Sequence, residues 1–261
     1  MTFESVFLLV GLADFIGFFI EGCAGFGASV ITAPINTGLL SAAVCTPFAT
    51  AVALPVLWYT VITGHKFVNK KVLLRIFILL APGFLLGNYL RLIIDETMAK
   101  ICIGGAVTLI AVINIWAHII KPLVLKIPDD INADPTPVQR VFHIACLVLG
   151  SMVHGAFTIG GPLICVYTLR MVKDKFEFRN TMLAMFAVLD TWNACVHIAT
   201  NQWNPRVVGA IVTVLPFTFL GYYFGTKLLK KVNREQFLRI IYVVLLATGG
   251  NMFIRSLLSI L

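Results

Sequence analysis

Apolar runs of about 20 residues, the length needed to cross a bilayer core, succeed one another along this chain. They lie at roughly 4–21, 41–62, 73–94, 98–119, 140–157, 180–199, 207–225 and 237–258. Nothing else in the sequence restricts the fold as strongly, because in hydrocarbon only helices or closed barrels satisfy their own backbone. Of the 261 residues, 59% are hydrophobic and 12% are charged, about half the charged share of an ordinary soluble domain. The expectation is an all-α polytopic protein of the cell membrane, of the prokaryotic inner-membrane kind, with the lipid bilayer as its first partner. The formal charge of +8 does not indicate nucleic acid. Lys and Arg cluster in short loops between the apolar runs, as cytoplasmic loops do. The start, MTFESVFLLVGLADF, lacks a basic leader and a small-residue cleavage site, so no cleaved signal is expected. Cys23, Cys45, Cys102, Cys146, Cys165 and Cys195 stand singly in apolar runs, which suits packing rather than metal binding or redox pairing.

Two stretches break the pattern: IEGCAGFGASVITAP (20–34) and VHGAFTIGGPLICVY (153–167). The apolar pieces that follow, about 27–40 and 162–171, are too short to span at 1.5 Å per residue and read as half-helices. In a bilayer, non-helical backbone is tolerated only where protein or a water-filled cavity surrounds it. A half-helix starting there points unpaired N–H groups and the positive end of its dipole into that cavity. Glycine lets a ligand approach closely, and Pro162 costs little in a first helical turn. Two such ends make an anion site that needs no metal and no cofactor. The candidate binding residues for a small anionic substrate are Gly25, Gly27, Ala28 and Ser29 from the first break, and Thr158, Gly160 and Gly161 from the second. The plainer alternative is that these glycines only let helices pack closely.

The two halves are related. Trp58, Pro82, Gly87 and Tyr89 recur 134 residues later as Trp192, Pro216, Gly221 and Tyr223. At a shift of 133, Gly22, Phe26 and Gly27 fall on Gly155, Ile159 and Gly160. Seven pairs in order indicate an internal duplication: repeat one over about 4–120, a Pro- and Asp-rich linker over about 121–139, and repeat two over about 140–261, forming one transporter domain. The loop at 63–75 holds Lys66, Lys70, Lys71 and Arg75, and that at 170–179 holds Arg170, Lys173, Lys175 and Arg179. The loop at 226–239 is equally basic, whereas 200–206 has only Arg206. With the basic loops in the cytoplasm, the path closes only if each broken segment enters and leaves on one side. Each half is then a glycine-broken re-entrant helical hairpin plus three spanning helices, and the halves are inverted repeats with both termini outside. In such transporters, broken helices from the two halves meet near the midplane.

The stretches GCAGFGASVITAP and GAFTIGGPLICVYTL, each opening one of two related halves, resemble the paired glycine signatures of the sulfite exporter TauE/SafE family. The resemblance extends over nearly the whole chain: its length, its duplication, the basic loop after the second helix and the Pro-x-x-x-x-Gly helix in each half. It implies a permease for sulfite or small organosulfonates such as sulfoacetate, often working as an exporter. Where that family tends to carry three consecutive small residues at each break, this chain has Gly27, Ala28, Ser29 and Gly160, Gly161, Pro162.

Ionisable groups inside a membrane are functional by default. Glu21 and His154 immediately precede the equivalent Gly22 and Gly155. A proton on Glu21 and an anion beside it would favour each other, making Glu21 a coupling candidate, with His154 a second titrating group or a neutral donor. Asp190, Asn193 and His197 fall on one helical face and form a pathway stripe, or else hydrogen-bond between helices. Arg91 is expected to snorkel, and Trp58 and Trp192 fit either interfacial anchors or cavity walls. No P-loop motif appears, so the leading reading is a secondary transporter with alternating access. An anion channel shares the glycine-lined site. A membrane-embedded enzyme would need ligand or triad spacings that are missing. The sequence sets no oligomeric state.

Overall fold

A computed structural model describes residues 5–90, 96–120, 136–157 and 160–260. Thr158, Arg91, Asp95 and the linker residues 121–135 lie outside the described residues. The described chain is helical, without a strand: α1 (Val6–Ala24), α2 (Ala28–Leu40), α3 (Ala42–Gly64), α4 (Lys70–Leu90), α5 (Glu96–Ile115), α6 (Pro137–Phe157), α7 (Gly161–Met171), α8 (Lys175–Ala199), α9 (Pro205–Lys231) and α10 (Arg234–Leu258). Eight of them are long and apolar enough to cross a membrane. The exceptions are α2 and α7, of 13 and 11 residues, about 20 and 16 Å long. Both follow a glycine break, where the sequence places them. Large apolar side chains such as Ile62, Ile78, Leu109 and Val243 are exposed, as befits a protein whose outer solvent is lipid.

The helices form two compact units, Met1–Leu73 with Val172–Val232, and Leu74–Met171 with Asn233–Leu261. In the first, α1, α2 and α3 join α8 and α9. Helix α8 starts at Asp174, whose carboxylate accepts the Phe176 and Glu177 N–H groups, and α9 starts at Asn204, which caps Arg206 and Val207. Each cap satisfies donors that a helix start leaves orphaned. The far end of α9 is closed by the Lys175 ammonium, which donates to the Leu229 and Val232 carbonyls. The Asn69 N–H donates to the Thr181 hydroxyl at 3.0 Å. The α3–α4, α7–α8 and α9–α10 connections therefore gather at one end of this unit. At the other end Arg206 donates to the Leu40 carbonyl at 3.4 Å.

Helix α1 lies on α9 with backbone against backbone. A Cβ at Gly22 would stand 2.6 Å from the Tyr222 carbonyl oxygen, and one at Gly221 or Gly225 would overlap the Phe15 or Phe19 carbonyl. The second unit repeats the device between α6 and α4. A Cβ at Gly155 would overlap the Phe84 carbonyl, and one at Gly87 the Met152 carbonyl. Gly22 and Gly155 are the pair separated by 133 residues, and Gly87 and Gly221 the pair separated by 134, so corresponding glycines do corresponding work. Elsewhere in this unit α5 meets α10 at Gly104, where a Cβ would stand 2.6 Å from the Phe253 nitrogen. Asn233 and Gln236 close a capping box at the start of α10.

Candidate functional site

The first break is built by Glu21 twice over. Its carbonyl accepts the Gly25 N–H at 2.7 Å, ending α1 with Gly25 in the left-handed region (φ 83°). Its carboxylate then reaches the start of α2, where Oε2 accepts the Ala28 N–H at 3.2 Å. Gly27 caps α2 at φ 107°, a conformation that suits glycine far better than a residue with a Cβ. Glu21, Gly25, Gly27 and Ala28 are buried and Ser29 is half-buried. The sequence assigns the Gly25 and Ala28 amides to a substrate anion. In this structure both already have partners, and the partner at Ala28 is itself an anion-forming side chain. Glu21 is also within electrostatic reach of Asp190 and Asp14, and Asp14 accepts a 2.8 Å hydrogen bond from the Asn36 amide on α2.

At the second break the half-helix start has different surroundings. The Gly160 carbonyl accepts the Ile164 N–H at 3.2 Å, as the Gly27 carbonyl accepts that of Ile31 at 3.2 Å, so both half-helices open alike. Yet a Cβ at Gly160 would overlap the Gly150 carbonyl and stand 2.8 Å from the His154 Cβ. The open side of Gly160 is thus filled by α6 itself, which gives this glycine a packing reason independent of any ligand. His154 is buried, and its ring centroid lies 6.3 Å from that of Phe84. Gly161 is buried in the first turn of α7.

On α8, Asp190, Asn193 and His197 are all buried within the first unit, and the His197 Nδ1 pairs with the Gln202 side-chain oxygen at 2.8 Å. Trp58 and Trp192 are exposed, and the Trp58 Nε1–H donates to the Thr191 hydroxyl at 3.0 Å. Among the described residues no group of three or more His, Cys, Asp or Glu is placed to hold a metal ion.

Sequence reasoning overlooked Arg179. Counted among the cations of a loop, it belongs instead to the second turn of α8 and is only 4% exposed. The first break packs directly on it, since a Cβ at Gly25 would stand 3.0 Å from the Arg179 Cα and 3.3 Å from its Cγ. The α1–α2 turn therefore lies against the second turn of α8. The arginine's distance in sequence from either glycine stretch hides this contact. A four-residue register within the basic run LRMVKDKFEFR is too little to tell a buried helical arginine from a solvated one.

Among curated proteins and among solved structures, nothing matches the chain. A family model, Sulfite exporter TauE/SafE, matches residues 8–252. With eight helices fit to cross a membrane and a match over nearly its whole length, the protein is a multi-pass membrane transporter that belongs to the sulfite exporter TauE/SafE family.

Proposed function

We propose that this protein is a secondary carrier that exports a small sulfur oxyanion or organosulfonate, held by amides at the two half-helix starts. The observation that carries this reading is the Glu21 carboxylate on the Ala28 amide. A resident anionic group at the start of α2 indicates that this helix end attracts negative charge, as its dipole and unpaired N–H groups favour. Substrate and ionised Glu21 would compete for one donor. Protonating Glu21 releases that donor and removes a repelling charge, which couples proton uptake to anion binding. In the second hairpin His154 takes the corresponding position before the break, with Thr158, Gly160 and Gly161 as its donors. The pathway stripe of Asp190, Asn193 and His197 is assigned to proton passage. The family's name points to the same substrate class.

The halves are read as inverted repeats, each opening with a re-entrant hairpin. Single cysteines at Asn69, Asp174 and Asn233 should be shielded from an impermeant thiol reagent outside the cell, and those at Asp95 and Gln202 labelled. Asn69 and Gln202 reporting one side would end the inverted-repeat reading. The substrate assignment is tested by thermal-shift titration of purified protein with sulfite, sulfate, thiosulfate and methanesulfonate. A bound anion stabilises the fold with the logarithm of its concentration above Kd. Saturable counterflow in liposomes marks a carrier. Absence of stabilisation by every one of these anions would refute the assignment, and flux without saturation or counter-transport would make the protein a channel.

A further inference from the structure

We infer that Arg179 is the fixed cation of the anion site at the first break, binding the substrate's negative charge at the tip of the α1–α2 hairpin. The inference rests on the reading of the break as a substrate site and supplies a charge that amides alone lack. A buried guanidinium is costly unless an anion or a full set of acceptors compensates it. Among the described residues Arg179 makes no ion pair. One of its terminal nitrogens donates to the Tyr222 hydroxyl and, at 3.1 Å, to the Thr226 hydroxyl, and its Cζ lies 5.0 Å from the centre of the Tyr222 ring. Its Nε–H is buried without an acceptor among the described residues. Arg179 and Lys175 are both within electrostatic reach of Cys23 in the last turn of α1.

The hydroxyls beside it are directed. Thr60 gives its only proton to the Val56 carbonyl at 2.9 Å, so Tyr222 donates to Thr60 in their shared hydrogen bond. Thr226 accepts from Arg179 and keeps its own proton. The Arg179 Nε–H and the Thr226 O–H are thus two donors beside a fixed positive charge, next to the Gly25 turn, whose lack of a Cβ leaves the backbone close to the arginine. Two separate donors beside one positive charge can each take an oxygen of the same sulfur centre, so sulfite or a sulfonate head group fits better than a monatomic halide.

The test is a thermal-shift titration of the purified full-length protein with sulfite and with methanesulfonate, chloride serving as the control. Arg179→Gln should raise Kd about 10- to 100-fold, the loss expected when a charged hydrogen bond is removed, and Arg179→Lys should fall between it and wild type. Wild-type binding together with an unchanged Kd in Arg179→Gln would overturn the inference and leave the substrate reading intact. Failure of wild type to bind either anion would overturn both. A purely structural arginine would lower the melting temperature of the variants without moving Kd. Should Arg179→Gln not purify, Thr226→Val reads the same site: a weaker affinity supports the inference and an unaltered one overturns it.

Discussion

The two hairpins pack closely at corresponding glycines and differ in their charges. Gly17 and Gly150, equivalent at a shift of 133, both seat the half-helix that follows: a Cβ at Gly17 would meet Thr32 and Ala28, and one at Gly150 would meet Leu163 and Ile164. Around this common frame the first hairpin carries Asp14 and Glu21, with Arg179 and Asp190 supplied by α8. The second carries His143 and His154 at buried positions, with Leu147 where the first has Asp14. The steric requirement is common to both hairpins, while their electrostatics differ. Close helix approach depends on backbone atoms that cannot be exchanged, whereas the charged side chains around it can be.

The sharpest way to break the equivalence is at the glycines that bring backbone against backbone. Gly22→Val and Gly155→Val should each abolish monodisperse protein in size-exclusion chromatography. Overpacking a tight interface costs about 1–3 kcal/mol or more, and here the obstacle is a carbonyl that no rotamer change removes. Normal yield from one variant and none from the other would show that the two hairpins are not held in the same manner.

Next come the glycines at the half-helix starts. Gly27→Ala meets a backbone penalty of about 1–2 kcal/mol for a left-handed residue. Gly160→Ala meets the Gly150 carbonyl and can be relieved only by parting α6 from α7. Gly160→Ala should therefore show the larger fall in melting temperature. The opposite order would mean that α7 slides away from α6 easily.

Much of this was legible in the sequence. Run length located the spanning helices, and the glycine breaks located α2 and α7, because bilayer thickness and backbone satisfaction leave few alternatives. The offset pairs foretold which glycines would correspond. What stayed hidden were contacts between residues far apart in the chain: Arg179 under Gly25, Tyr222 between Arg179 and Thr60, and the Gly150 carbonyl against Gly160. The Glu21–Ala28 bond was hidden differently. Both residues were singled out, but only the geometry of the turn reveals that the carboxylate folds back onto the amide assigned to substrate.

Glu21→Gln sharpens the electrostatic side of the comparison. Wild-type anion affinity should rise as pH falls, because protonation of Glu21 frees the Ala28 amide and removes a negative charge. One linked proton gives at most tenfold per pH unit. The glutamine variant is neutral at every pH, so its affinity should be flat and, at alkaline pH, tighter than wild type. His154→Gln should leave most of that slope in place. A slope that survives in Glu21→Gln and vanishes in His154→Gln would transfer the coupling to the second hairpin.

The smallest effect should come from exchanging one polar contact for its apolar counterpart. Asp14 and Asn36 join α1 to α2 by a 2.8 Å hydrogen bond, and the corresponding positions in the second hairpin are Leu147 and Leu169. Removing only Asn36, by Asn36→Leu, strands a buried carboxylate and should cost about 1.5–3 kcal/mol. The double variant Asp14→Leu with Asn36→Leu removes both partners and installs the second hairpin's own pair. Replacing a buried polar pair by well-packed apolar side chains is often neutral or stabilising, so its melting temperature should stay near wild type and above that of Asn36→Leu. A double variant less stable than Asn36→Leu would mean that the two hairpins are not interchangeable frames at this contact.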